Sequence, residues 1–131
     1  MIHHDLLFRA AADVTRRRLL HLLDRGEHCV GDLTEILGLP QPTVSRHLAR
    51  LRNAGLVSVR REAPWVHYRL AISTDPLRDA LLEAVRRCAN DPIFAADLAR
   101  ADELAREGGC CPDRASAAST ALAISASEHA R

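Results

Sequence analysis

Hydrophobic residues recur along this chain at two spacings, and the change from one to the other marks its elements. Between Pro42 and Ala54, the residues Val44, Leu48 and Leu51 fall at i, i+4 and i+7, the stripe of a helix that packs one face inward. Thr43, Arg46, His47 and Arg50 share another face of that helix. Pro42 suits a first helical turn, where its missing N–H has no partner to lose, and Gly55 suits the left-handed residue that ends a helix. Beyond it the spacing drops to two. Val57 and Val59 alternate with polar residues in Leu56 to Arg60, and Val66, Tyr68 and Leu70 alternate with Trp65, His67 and Arg69, the pattern of half-buried strands. Glu62, Ala63 and Pro64 form the turn between them, so the sequence predicts a hairpin with Arg60 and Arg61 at its tip.

The flanks read as helices. Asp5 to Ala12 is a short one whose Leu6, Leu7 and Phe8 are too apolar to be left in water, and it is expected to pack on a partner subunit. Asp13 caps a second helix running to about Arg25, with Val14, Leu19, Leu22 and Leu23 facing inward and Gly26 as its stop. Arg16 to Arg18 read as its solvated face. A third spans Val30 to Leu37 and carries Leu33, Ile36 and Leu37; the break at Gly38-Leu39-Pro40 then leads into the helix from Pro42, and the two make a helix-turn-helix. Asp75-Pro76 and Asp91-Pro92 each join a cap to a first-turn proline. The first opens a helix to about Cys88 or Ala89 with the stripe Leu77, Leu81, Ala84, Val85 and Cys88, and the second a helix to about Glu107 with the stripe Phe94, Leu98, Ala101 and Ala105. From Pro112 the chain is Ser and Ala with scattered charge, and it reads as a disordered tail. The expected fold is mainly α with a small β-hairpin, a winged helix-turn-helix in residues 1–107, followed by a flexible tail in 108–131.

At 131 residues with 47% hydrophobic composition the chain supports one domain with one core. Its charge is unevenly placed. Six Arg and one acid lie between Gln41 and Leu70 in a chain whose net charge is +1. Residues 1–70 hold eleven Arg and seven acids, whereas residues 71–131 hold seven Arg and ten acids. Positive charge thus gathers on the helix and hairpin, which points to duplex DNA as partner. Gln41, Thr43, Ser45, Arg46, His47 and Arg50 on the helix, with Arg60 and Arg61 on the hairpin, are the candidate contacts: Arg for guanine edges or phosphates, hydroxyl and imidazole for base edges. The apolar faces at both ends of the chain exceed what a domain this small can hide, which predicts a homodimer able to meet the two half-sites of a twofold operator. No apolar run approaches the ~20 residues of a membrane helix, and the N-terminus lacks the pattern of a signal peptide, so a cytoplasmic location is expected. No nucleophile motif, Gly-rich phosphate loop or pair of catalytic carboxylates suggests an enzyme.

The segments Thr15-Arg16-Arg17-Arg18-Leu19-Leu20, Gln41-Pro42-Thr43-Val44-Ser45-Arg46-His47-Leu48 and Ala54-Gly55-Leu56-Val57 resemble the ArsR/SmtB family of metal-sensing bacterial repressors. The resemblance spans residues 5–90. It implies a homodimeric winged helix-turn-helix protein that binds an operator and releases it when a toxic metal or metalloid binds. Two positions depart from the family pattern: Ala63-Pro64 replaces a usual Gly in the hairpin turn, and Pro40 stands where a Ser often precedes the recognition helix.

Cysteine chemistry bears on the inducer. Gly108-Gly109-Cys110-Cys111 is a vicinal dithiol after two glycines, able to turn both sulfurs onto one soft ion such as As(III), Sb(III) or Cd(II). A three-coordinate metalloid takes a third thiolate. Cys29 lies in E-H-C-V-G-D-L, which resembles the family's arsenic motif E-L-C-V-C-D-L with Gly31 in place of the second Cys and Thr34 at a further family Cys position. Its place near a helix N-terminus favours thiolate; the alternative reading is a small buried hydrophobe. Cys88, on an apolar stripe, reads as core. The family's zinc site needs Asp and His along the penultimate helix, and no His lies between Asp75 and Glu107, so zinc sensing there is not expected. His3 and His4 read as exposed, and His28 is a ligand only in principle. The expected function is a repressor of a metal(loid)-resistance operon, with As(III) or Sb(III) as inducer on Cys110, Cys111 and Cys29 and no organic cofactor. The alternatives are a repressor of the same kind that senses thiol oxidation or Cd(II), or that has no metal input.

Overall fold

The computed structural model describes residues 2–109, with side chains from His4 onward. The helices are α1 (Ile2–Ala11), α2 (Val14–Leu23), α3 (Val30–Leu37), α4 (Gln41–Asn53), α5 (Pro76–Arg86) and α6 (Pro92–Arg106), with a 3-10 turn at Arg87–Asn90 between the last two. The strands β1 (His28–Cys29), β2 (Val57–Glu62) and β3 (Trp65–Leu70) form an antiparallel sheet in the order β1-β3-β2. Most boundaries follow from local chemistry. The Asp13, Asp75 and Asp91 carboxylates accept the N–H of Arg16, Leu77 and Ile93 and cap α2, α5 and α6. At the other end of α4, Gly55 takes φ +77, and the N–H of Leu56 reaches the carbonyl of Leu51 at 3.0 Å, the Schellman closure that a left-handed glycine allows.

The core is built where these elements cross. Leu19 and Leu22 of α2, Leu33 of α3, and Val44, Leu48 and Leu51 of α4 are fully enclosed together with Leu56. The hairpin pairs Val57 with Leu70, Val59 with Tyr68 and Arg61 with Val66, so the apolar alternation of both strands falls on one face, as the pattern required. Ala63 and Pro64, joined by a cis peptide, make the turn. Among the described residues no helix is long and apolar enough to cross a membrane.

Several expectations are corrected. Val14, predicted to face inward, is 44% exposed, because it begins α2 one residue after the cap, outside the crossing of helices. The short strand β1 was not foreseen; two residues carry no periodicity. Cys29 within it pairs across from His67, and His28 from Tyr68. On α5 the buried positions are Arg78, Leu82 and Val85, while Ala84 is exposed. The helix ends at Arg86, so Cys88 falls in the 3-10 turn, half-buried, with its thiol directed to the Ala84 carbonyl at 3.7 Å. It is not a core residue. On α6 the inward face is Phe94, Asp97, Ala101 and Leu104, because Asp97 is drawn in by a charge on α2. That charge is Arg18, whose Nε and Nη2 each meet an Asp97 oxygen at 2.8 Å. The reading of Arg16 to Arg18 as solvated therefore fails at Arg18, and at Arg16 as described below. Of the predicted tail, 108–131, the residues from Cys110 on lie outside the described residues, the pair Cys110 and Cys111 among them, as does the side chain of His3.

Candidate nucleic-acid interface

Helix α4 is anchored by its apolar stripe, and that burial decides what its other faces show. With Val44, Leu48 and Leu51 at 0% exposure, the positions off this stripe are turned to its edges or outward: Gln41, Arg46 and Arg50 are exposed, and Thr43, Ser45 and His47 are half-buried. Pro40 precedes the helix without a side-chain cap; its carbonyl accepts the N–H groups of Thr43 and Val44 at 3.0 and 3.1 Å. The departure from Ser at this position thus costs the helix a cap but not its first turn. Arg46 lies back over Thr43, with Nη2 at 3.4 Å from Oγ1.

The wing stands beside this helix. A cleft of about 370 Å³ is lined by Gln41 and Ser45 of α4, by Arg61, Trp65 and Tyr68 of the hairpin, and by Cys29. Arg61 is exposed at its edge. Arg60 is not at the tip. It lies across from His67, and its guanidinium is taken up by Glu27, with Nη2 at 2.6 Å from Oε1, and by Glu62. The bond to Arg60 holds the Glu27 carboxyl below its ordinary range in spite of partial burial, and the two acids raise Arg60 further still. Sequence placed Arg60 and Arg61 side by side; the structure separates their charges into one balanced and one outward.

His47, half-buried on α4, meets partners outside its helix. Its Nδ1 lies 3.2 Å from Nη1 of Arg16 and 3.8 Å from Oδ1 of Asp13. Burial opposes the charge on Asp13, but the N–H of Arg16 together with His47 and the Arg16 guanidinium outweighs it and keeps this carboxyl below its usual value. Neither partner was foreseen at this site. Asp13 was legible as a cap, and Arg16 only as one of three arginines in a row.

Of the thiols, Cys29 is 2% exposed and caps α3, its sulfur accepting the N–H of Asp32 at 3.4 Å. Cys88 lies on another element, the 3-10 turn between α5 and α6. No group of three or more His, Cys, Asp or Glu among the described residues is arranged to hold a metal ion.

Residues 13–59 match the family described as bacterial regulatory protein, arsR family. Beyond that segment, the chain is 43% identical over 100 residues to the arsenic resistance transcriptional regulator ArsR1 of Pseudomonas putida, covering 76% of this chain and 77% of that one. The chain belongs to the ArsR family. The arsenical resistance operon repressor of Escherichia coli K12 is 40% identical over 90 residues, 68% of this chain and 77% of that one. A solution structure described as the homodimeric winged helix-turn-helix DNA-binding domain of Mb0332 from Mycobacterium bovis superposes with a TM-score of 0.52 at 31% identity, covering 77% of this chain and 80% of that one. This ArsR-family chain is accordingly a winged-helix transcriptional repressor and not an enzyme. ArsR-family regulators bind DNA through the helix-turn-helix, which here is α3 and α4.

Proposed function

We propose that the chain acts as a homodimer on a twofold operator, with α4 in the major groove and the hairpin beside it, and that As(III) or Sb(III) captured by thiolates releases it. The observation that carries the DNA half is α4 itself, which leaves Gln41, Arg46 and Arg50 exposed and Thr43, Ser45 and His47 half-buried, with Gln41 and Ser45 facing Arg61 of the hairpin across a shared cleft. Arg60 contributes through the wing it braces. Both the arsenic-related names of the relatives and the soft-donor chemistry of this chain favour a metalloid as inducer.

The donor set proposed is Cys110, Cys111 and Cys29, which offers three sulfurs to an ion that prefers three. Cys29 suits a role in release because of where it is held: it caps α3, the first helix of the helix-turn-helix, and pairs with His67 of the wing. A ligand taking this sulfur acts on the reader and the wing together. Its near-complete burial means that capture must open the β1–α3 corner, so binding and the DNA-ready arrangement oppose each other. Coupling of this kind is typically about 1 to 3 kcal/mol, roughly 5- to 150-fold in affinity, and acts equally in both directions.

The test is fluorescence anisotropy of a duplex carrying the palindrome upstream of the gene, titrated with As(III). Wild-type protein is expected to release the duplex, and Cys110→Ser/Cys111→Ser protein to hold it. Release of the double variant at the same As(III) concentration overturns the dithiol assignment. Undiminished response in Cys29→Ser removes that residue from the set.

A further inference from the structure

All three guanidinium nitrogens of Arg16 are engaged. Nε donates to the carbonyl of Ala10 at 2.8 Å and Nη2 to that of Arg9 at 3.0 Å. These carbonyls belong to the last turn of α1, where positive charge is favoured by the helix dipole; that of Arg9 also accepts the N–H of Ala12 at 3.2 Å. Nη1, the remaining nitrogen, lies 3.2 Å from Nδ1 of His47 on α4. One side chain thus ties the end of α1 to the middle of the recognition helix.

We propose that Arg16 is a positioning residue for operator recognition: it donates to Nδ1 of His47, holds the imidazole with its hydrogen on Nε2, and so presents an N–H to an acceptor on a base edge. The proposal rests on the reading of α4 as the helix in the major groove. A guanidinium is always charged and has only donors, so the nitrogen facing it must accept. In a neutral imidazole an accepting Nδ1 leaves the hydrogen on Nε2. Asp13 stands 3.8 Å from the same nitrogen, too far for a hydrogen bond, and its own Oδ1 is occupied by the N–H of Arg16 at 3.1 Å. The ring keeps 21% of its side-chain surface exposed, which leaves an edge for DNA. A ring fixed in advance loses less side-chain freedom on binding than one that must be ordered by the ligand. As a donor it accepts guanine O6 or N7, adenine N7 or thymine O4 as partner, and it refuses the amino group of cytosine.

Two measurements test this. In the free protein at a pH where the imidazole is neutral, nitrogen-15 NMR of the His47 ring is expected to show Nδ1 unprotonated and Nε2 protonated. A proton on Nδ1 overturns the proposal without any variant. The second is operator affinity for His47→Ala, Arg16→Gln and the pair, over several salt concentrations and over duplexes with each base pair changed in turn. His47→Ala and Arg16→Gln are each expected to lose roughly tenfold, about 1.4 kcal/mol and the scale of one base-edge contact. The double variant is expected to bind no worse than His47→Ala, with the salt slope unchanged and the lost discrimination at the same base pair. Additive losses, or a salt slope lowered by about one unit in Arg16→Gln, mean that Arg16 touches phosphate itself, which overturns positioning while the reading of α4 stands. If His47→Ala binds as wild type while Arg46→Ala and Arg50→Ala do not, the proposal fails at His47 and the groove assignment of α4 survives. Arg16→Lys keeps the charge without the three-way geometry; it is expected to behave as Arg16→Gln, and it carries the test should the Gln variant fold poorly.

Discussion

Arg46 and Arg60 come from one basic stretch, yet their charges are disposed differently. Arg46 is exposed, with Nη2 near the Thr43 hydroxyl at 3.4 Å and no acid paired with it among the described residues, whereas Arg60 is held by Glu27 and Glu62. Replacing Arg46 by Ala is expected to lower the salt dependence of operator binding by about one unit if it meets phosphate. Arg60→Ala is expected to leave that slope near the wild-type value, since its charge is already balanced; titrations at four salt concentrations separate the two. The position of Arg60 was legible from strand alternation, but Glu27, 33 residues earlier in the chain, carries no local signal of the pairing. His21 offers a second residue-level check. Burial against α6, with the Phe94 ring at 5.2 Å, pushes its pKa below 6.5, helped by Arg25 and opposed by Asp24 and Asp97. Below about pH 6.5 the unfolded chain takes up a proton that the folded one resists, so this contribution to stability is complete above that pH and declines as pH falls. Melting temperatures from pH 7.5 to 5.5 are expected to drop, and the drop to be smaller in His21→Gln.

Capped helix starts were the most legible elements, because Asp-Pro pairs act over two or three residues and need nothing distant. α3 runs over the residues the pattern marked, Val30–Leu37, and α4 begins one residue early at Gln41. The phases of α5 and α6 were harder. A stripe drawn through apolar residues alone passes over Arg78 and Asp97, both buried, since a charged residue turns inward only when a partner elsewhere satisfies it. For Asp97 the partner is Arg18, two bonds of 2.8 Å with side-chain exposures of 4% and 13%. Removing one member of such a pair leaves the other buried without its counter-charge, so Asp97→Ala is expected to cost about 3 kcal/mol, read from urea unfolding. The candidate site divides in the same way: the outward residues of α4 followed from its period, while the contact of His47 with Arg16 depends on how α2 crosses α4.

At the scale of the molecule, Leu6 and Phe8 on α1, Val14 at the start of α2 and Ile93 at the start of α6 remain 37%, 55%, 44% and 39% exposed. Covering them is what the proposed homodimer would accomplish. Phe8→Glu is expected to shift the protein toward half its mass in analytical ultracentrifugation and to weaken operator binding with it; an unchanged dimer would place the subunit contact elsewhere. The packing of α6 on α2 and α3 also bears on how far the protein can be shortened. The matched family segment ends at residue 59, but a fragment cut at residue 90 would lay bare the His21 ring and strand the Arg18 guanidinium inside a half-built interior. The smallest autonomous unit is therefore expected to reach at least to the end of α6. Circular dichroism of chains ending at 90 and at 109 should show a cooperative melt only in the longer one, so the sixth helix serves as the closing wall of the reader and not as an appendage to it.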